Sequence, residues 1–145
     1  MHRTLRILLL VALVLHVACG SKSAKRDGDT VAEEVVVEEL VAELTVGATS
    51  EVLVDLGSVA PRSITTREIR IVNNTDEPVV LLDYETTCRC TTLEFERTPI
   101  EAGGHAVAVL KFDSRGEWGG VGNFLSIETS NEECSVVVWM SAEVN

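Results

Sequence analysis

Residues 66–74, "TREIRIVNN", alternate apolar and charged side chains before ending in two asparagines. Ile69 and Ile71 fall on one face of an extended strand and the charged neighbours fall on the other, because successive side chains point in opposite directions. The cluster "NNTDEP" that follows is typical of a turn. This stretch therefore predicts a half-buried antiparallel strand that ends in a turn.

The same alternation recurs along the rest of the chain, in "EVLVDLG", "PVVLLDYETTC", "CTTLEF", "HAVAVLKFD", "NFLSIETS" and "CSVVVWMSAEV". Turn residues separate these runs, so residues 47–145 are predicted to form an all-β, immunoglobulin-like antiparallel β-sandwich of about seven strands. Val136 to Met140 are apolar on both faces, which predicts a strand inside a sheet with both faces covered. "GEWGGVG", residues 116–122, predicts a hairpin turn with Trp118 folded over it.

Residues 1–18 have the form of a signal peptide, with a basic start, the apolar run "ILLLVALVL" and small residues after it. Nine apolar residues form about 13 Å of helix, too short for a hydrocarbon core of about 30 Å. "LHVAC", residues 15–19, resembles a bacterial lipobox with His16 where Leu is preferred, and it predicts acylation of Cys19. The alternative is cleavage after Gly20, which would release a secreted protein.

Residues 19–46 are predicted to be a polar and acidic tether. The spacing of Val37, Leu40, Val41 and Leu44 favours a helix in part of it, whereas the β-branched run at 35–37 favours an opening strand. Both interpretations remain open from the sequence.

Composition excludes several classes of function. The 145-residue chain has a net charge of -11 and no basic stripe with interleaved aromatics, so nucleic-acid binding is not expected. His105 is the only histidine beyond the signal region. Because one imidazole would have to serve every catalytic scheme, the sequence predicts a protein that is not an enzyme.

Three longer stretches resemble one bacterial domain family of unknown function, related to the hydin-type and PapD-like immunoglobulin folds. They are "LVDLGSVAP", "IRIVNNTDEPVVLLDYETTCRCTTLEF" and "TPIEAGGHAVAVLKFDSRGEWGGVGNFLSIETSN". The resemblance covers residues 50–145, and its most specific part is the Cys-x-Cys-Thr signature at 88–91. Arg89 stands where the family usually has Gly. The resemblance implies an exported or lipid-anchored protein.

Three interpretations of the cysteines compete. Cys88 or Cys90 could form a structural disulfide with Cys134 across neighbouring strands, which the sequence favours. In an extended strand Cys88 and Cys90 would share a face and could bind copper, or zinc with Cys134 and His105 as further ligands. A thiol–disulfide redox pair is the third interpretation.

The function expected from the sequence is that of a noncatalytic envelope lipoprotein, a binding or scaffolding module without a cofactor. Its partners would be the membrane, through the lipid on Cys19, and another envelope protein. Gly20 after the lipidated cysteine favours the outer membrane. The alternatives are a copper- or zinc-binding protein that uses Cys88 and Cys90, and a thiol–disulfide redox protein.

Overall fold

The computed structural model describes residues 38–145, so the predicted signal peptide, the lipidation site Cys19 and the tether as far as residue 37 lie outside the described residues. The described part contains no helix long and apolar enough to cross a membrane. It forms eight strands: β1 Leu40–Leu44, β2 Ala48–Val59, β3 Ile64–Asn73, β4 Leu81–Thr86, β5 Thr91–Glu94, β6 His105–Asp113, β7 Gly119–Thr129 and β8 Cys134–Val144.

The strands form two four-stranded sheets that pack face to face. Sheet A has the order β1-β3-β6-β5, and sheet B has the order β2-β8-β7-β4. The predicted all-β, immunoglobulin-like sandwich is confirmed. Two of its strand pairings, β1 with β3 and β2 with β8, are parallel rather than antiparallel. Strands β2 and β8 come from opposite ends of the domain, and a long connection allows parallel pairing, which a hairpin does not.

Strand β1 corrects the prediction that residues up to 46 belong to a partly helical tether. Leu40 pairs with Ile69, and Leu44 pairs with Asn73, so this segment is part of sheet A. Ala42 and Leu44 are buried while the residues between and around them are exposed, which is a period of two. Leu40 and Leu44 are four residues apart, a spacing that suits one face of a strand as well as one face of a helix.

The core lies between the sheets and is built from the inward side of each strand. Ile69 and Ile71 are fully buried and their charged neighbours are exposed, as the alternation predicted. Each fully buried aliphatic or aromatic side chain contributes about 1.5–3 kcal/mol through removal from water. The largest of these side chains are Phe112, Leu44, Ile69, Ile71, Leu81, Leu110, Leu125 and Ile127.

Strand β8 lies inside sheet B, between β2 and β7, as predicted. The prediction that both of its faces are covered is wrong. Val136, Val138 and Met140 point into the core, but Trp139 on the opposite face is 45% exposed. The apolar residues on the outer face of β8 therefore face solvent.

The glycine-rich segment 116–122 is not a hairpin turn either. Strand β6 belongs to sheet A and β7 to sheet B, so the connection between them crosses from one sheet to the other. Trp118 in this connection is 76% exposed rather than folded over the turn.

A cluster of buried polar side chains stabilises the connection from β3 in sheet A to β4 in sheet B. The side-chain amide of Asn73 donates to the carbonyl oxygens of Glu77 at 2.8 Å and Ile100 at 2.7 Å. Its oxygen accepts from the backbone N–H of Thr75 at 3.0 Å and from the Thr75 hydroxyl at 2.8 Å. One asparagine thus ties the turn after β3 to the strand-like segment before β6.

Candidate functional site

Cys88 and Cys90 lie in a turn between β4 of sheet B and β5 of sheet A, and a disulfide joins them. The backbone N–H of Thr91 donates to the Cys88 carbonyl oxygen at 3.2 Å, and the Thr86 hydroxyl donates to the same oxygen at 3.0 Å. The chain is therefore turned here rather than extended, which corrects the expectation of a strand with both sulfurs on one face. We refer to residues 87–90 as the Cys turn.

The structure does not form the predicted disulfide to Cys134. Cys134 is a free, buried cysteine at the start of β8. Asn123, which contacts the Cys turn, pairs with Met140, and Met140 lies six positions along β8 from Cys134, or about 20 Å. Burial raises the pKa of the Cys134 thiol, and the nearby Glu133 carboxylate raises it further. Cys134 acts as a small apolar core residue.

His105 is also far from the Cys turn. It is the exposed first residue of β6, whereas the N–H of Asp113 at the other end of β6 donates to the Cys90 carbonyl oxygen at 2.8 Å. Eight residues of strand span about 26 Å. The predicted metal ligand set of Cys88, Cys90, Cys134 and His105 is therefore not assembled.

Two other side chains meet the Cys turn instead. A carboxylate oxygen of Glu117 and the sulfurs of Cys88 and Cys90 all lie within 4.8 Å of one another. The side-chain amide of Asn123 donates to the Cys90 sulfur at 3.2 Å and to the Thr91 hydroxyl at 2.9 Å. The backbone N–H of Cys90 donates to the Cys88 sulfur at 3.1 Å. Each sulfur thus has its own hydrogen-bond donor.

The loop that carries Glu117 is held in place by a buried serine. The Ser114 hydroxyl donates to the carbonyl oxygen of Ala60 at 2.8 Å and accepts from the backbone N–H of Ser63 at 2.9 Å. The N–H of Glu117 donates to the Ser114 carbonyl oxygen at 3.2 Å. Gly116 between them has φ 90°, a conformation that favours glycine. The loop that carries the Glu117 carboxylate is therefore fixed by hydrogen bonds.

A second candidate feature lies on the outer face of sheet B. Leu53 of β2 pairs with Trp139 of β8, and Trp139 pairs in turn with Phe124 of β7. Their exposed fractions are 74%, 45% and 39%, and the two aromatic ring centroids are 5.5 Å apart. These three side chains form a continuous apolar stripe across three strands, which we call the outer row.

The charged side chains on the strands of sheet B all have one sign, and within residues 38–145 one of these carboxylates, Asp83, has a cationic partner, Arg97 at 3.9 Å. The four strands of sheet B contain no Lys or Arg, and their acidic side chains are all exposed: Glu51, Asp55, Asp83, Glu85, Glu128 and Glu143. Clefts and faces with charges of one sign attract partners of the opposite sign. The outer row is therefore an apolar stripe on an anionic sheet.

Sequence reasoning missed Glu117, Asn123 and the outer row. Glu117 and Asn123 are distant from the Cys turn in sequence, and only the crossing from sheet A to sheet B brings them there. The outer row did leave a signal, since "VVVWM" in β8 is apolar at every position. From the sequence alone, however, this pattern predicts a strand with both faces covered.

Comparison with protein families identifies one match. Residues 48–144 match the model of a family described as "Protein of unknown function (DUF1573)". No curated protein matches the chain.

Solved structures resemble the fold. A protein of unknown function from Porphyromonas gingivalis superposes with a TM-score of 0.56 at 18% identity, over 77% of this chain and 51% of that one. This chain thus spans about half of that protein. The secreted serine protease VesC of Vibrio cholerae has a TM-score of 0.47 at 17% identity, over 62% of this chain and 21% of VesC. An MSP-domain-like protein of Caenorhabditis elegans has a TM-score of 0.46 at 12% identity, over 58% and 91%.

Proposed function

The chain belongs to the DUF1573 family of proteins of unknown function, and from that premise we propose that it is a noncatalytic binding module of the bacterial cell envelope. Neither the family nor the P. gingivalis structure indicates catalytic activity. The lipobox-like "LHVAC" supports anchoring through lipid on Cys19, with the outer membrane as the favoured location and secretion as the alternative. The observation that carries the binding role is the outer row on the anionic face of sheet B.

The outer row has the features of an interaction site. Exposed Trp and Phe side chains that touch across strands form an apolar patch, and such patches mark interaction sites when polar residues surround them. Trp is also among the residues that contribute most binding energy in interfaces. Trp139 lies at the centre of the row, with Leu53 on one side and Phe124 on the other.

The negative charge on the outer face of sheet B favours a positively charged partner. Six exposed carboxylates and no cation on the sheet B strands favour a protein surface rich in Lys and Arg around an apolar centre. Arg guanidinium groups also stack on the faces of Trp and Phe. A second copy of this chain would bring its own carboxylates against those of the first, so self-association through this face is disfavoured. We therefore expect a basic envelope protein as the partner.

Site-specific photocrosslinking in the native cells tests this proposal. A photoreactive phenylalanine analogue is placed at residue 53 or residue 124 of the outer row, and at residue 107 of sheet A as a matched control. Val107 is also an exposed apolar strand residue. We expect one protein to be crosslinked from positions 53 and 124 and not from 107.

The crosslinked protein is then purified and its affinity measured. Trp139→Ser should weaken its binding at least about 30-fold, and raising the salt concentration should weaken binding of the wild-type protein. Equal crosslinking from residue 107 would contradict the proposal. So would crosslinks only within the chain or between two copies of it, since the occupant of the face would then be the tether or a second copy.

A further inference from the structure

The Cys turn supports a second, separate site. We propose that, after reduction of the disulfide, Cys88, Cys90 and Glu117 bind one zinc ion. The two sulfurs and a Glu117 carboxylate oxygen already lie within 4.8 Å of one another, and all three residues are half-buried. This site is at the end of the sandwich where β6 crosses to β7, and it does not use the outer row.

The hydrogen bonds at the sulfurs suit thiolate ligands. The amide of Asn123 donates to the Cys90 sulfur and the backbone N–H of Cys90 donates to the Cys88 sulfur. Hydrogen bonds to a charged group favour its charged form, and metal ligands are commonly oriented by such partners. Asn123 is itself held by its bond to the Thr91 hydroxyl, a fully buried residue. The donors are therefore in place for two thiolates.

The charge balance points to a divalent cation. Two thiolates and the Glu117 carboxylate carry three negative charges in a small volume, and Glu117 takes part in none of the ion pairs formed by residues 38–145. A divalent ion between the three ligands removes most of their mutual repulsion. Sulfur with oxygen ligands suits zinc, which binds at about 2.3 Å from sulfur and about 2.1 Å from oxygen. Three protein ligands leave a fourth tetrahedral position open.

The chemistry requires a two-electron reductant. A dithiol donor transfers two electrons and two protons to the Cys88–Cys90 disulfide, which breaks the S–S bond, forms two thiols and leaves the donor as a disulfide. Zinc then displaces one proton from each thiol and forms two Zn–S bonds, with two protons released to solvent. The oxidised protein has no thiolates at this position, so zinc binding depends on the redox state of the Cys turn.

Zinc competition with a chromophoric chelator tests the site. Full-length protein is reduced with a phosphine, freed of excess reductant and titrated with Zn(II), with the air-oxidised protein alongside. We expect one equivalent of zinc to bind to the reduced protein beyond that bound to the oxidised form. Glu117→Gln should lower the affinity at least about tenfold, and the control Glu101→Gln, at the opposite end of β6, should not. Cys134 is present in every variant, as is Cys19 where it carries no lipid, so zinc bound by these thiols is common to all.

A measurement on the wild-type protein alone keeps the test independent of folding of the variants. Reduced protein is alkylated with and without Zn(II), and the modified peptides are identified by mass spectrometry. Zinc should protect Cys88 and Cys90 together. Alkylation of both cysteines at the same rate with and without zinc would overturn the proposal, and an unchanged zinc affinity in Glu117→Gln would overturn the three-ligand site.

Discussion

Each sheet has, on its outer face, a row of three residues paired across neighbouring strands. The two rows differ in chemistry. On sheet A the row is Val41, Arg70 and Val107, and on sheet B it is Leu53, Trp139 and Phe124. The central residue is an arginine in one row and a tryptophan in the other. Arg70 forms an ion pair with Glu39 at 3.1 Å, so the central cation of the sheet A row has a partner within the chain.

The same contrast extends over both sheets. The strands of sheet A carry both signs of charge, and Lys111 of β6 pairs with Glu94 of β5. The strands of sheet B carry carboxylates alone, of which Asp83 pairs with Arg97 of a neighbouring loop at 3.9 Å. Exposed ion pairs contribute little to stability, typically 0 to about 1 kcal/mol, so this difference is not a matter of folding. Under the proposed function, the anionic outer face of sheet B is the face that binds the partner.

The largest expected change in the free energy of unfolding is on the inner face of sheet B, and the outer face should show almost none. Leu125 is fully buried on the inner face and Leu53 is 74% exposed on the outer face. Leu125→Ala should lower the free energy of unfolding by about 2–5 kcal/mol because it leaves a cavity, whereas Leu53→Ala should change it by less than about 0.5 kcal/mol. Urea unfolding followed by circular dichroism measures both. A cost of several kcal/mol for Leu53→Ala would mean that the outer row serves stability rather than binding.

A substitution in the connection from β3 to β4, which joins the two sheets, should lower stability nearly as much. Asn73→Ala removes four hydrogen bonds and leaves the buried backbone N–H of Thr75 without its partner, which should lower the free energy of unfolding by about 3 kcal/mol. The neighbouring Asn74 is exposed, and its side chain forms no hydrogen bond with residues 38–145; its backbone N–H donates to the Leu44 carbonyl oxygen. Asn74→Ala keeps that bond and is the matched control. Equal urea midpoints for the two variants would contradict the role assigned to Asn73.

The smallest expected effect concerns the balanced charges on sheet A. Hydrogen bonds from the Arg115 side chain, and then from its backbone N–H, lower the pKa of Asp113 below its usual value. A carboxylate with a lowered folded-state pKa stabilises the fold above its unfolded pKa of about 3.9, and that stability is lost as the pH falls through the folded-state value.

Asp113→Asn should therefore flatten the decline of stability below about pH 4 and change little at pH 7, because the Asp113–Arg115 pair lies at the surface, where water and salt screen it. Thermal unfolding between pH 2 and pH 7 measures this dependence. Asp76→Asn, which removes an exposed acid outside every ion pair of the described residues, is the control. An identical pH dependence in wild type and Asp113→Asn would show that the Arg115 contact has no effect on stability.

Much of the fold could be predicted because it depends on local alternation. Each run with period two from "EVLVDLG" onward became a strand, and Ile69 and Ile71 reached the core as expected. The segment at Leu40–Leu44 was ambiguous because a spacing of four satisfies both a strand and a helix. Its pairing with β3, a contact between distant parts of the chain, decided in favour of a strand.

The site was less predictable than the fold. The Cys-x-Cys-Thr signature pointed to residues 88–91 as a candidate site, but the predicted partners, Cys134 and His105, lie about 20 Å or more along the strands from it. Ligand geometry depends on which loops meet at one end of the sandwich. Composition and spacing do not predict which residues come into contact when those residues lie on separate loops.

The sequence by itself determined the strands from β2 onward, their inward faces, the anionic character and the features typical of export, because each depends on residues close together in the chain. Tertiary structure alone decided that Glu117 and Asn123 meet the Cys turn, that Cys134 is isolated in the core, and that Leu53, Trp139 and Phe124 form one row. These are contacts across strands and across sheets. They arise only when packing of the core fixes strand order and register, and with them the loops that share one end.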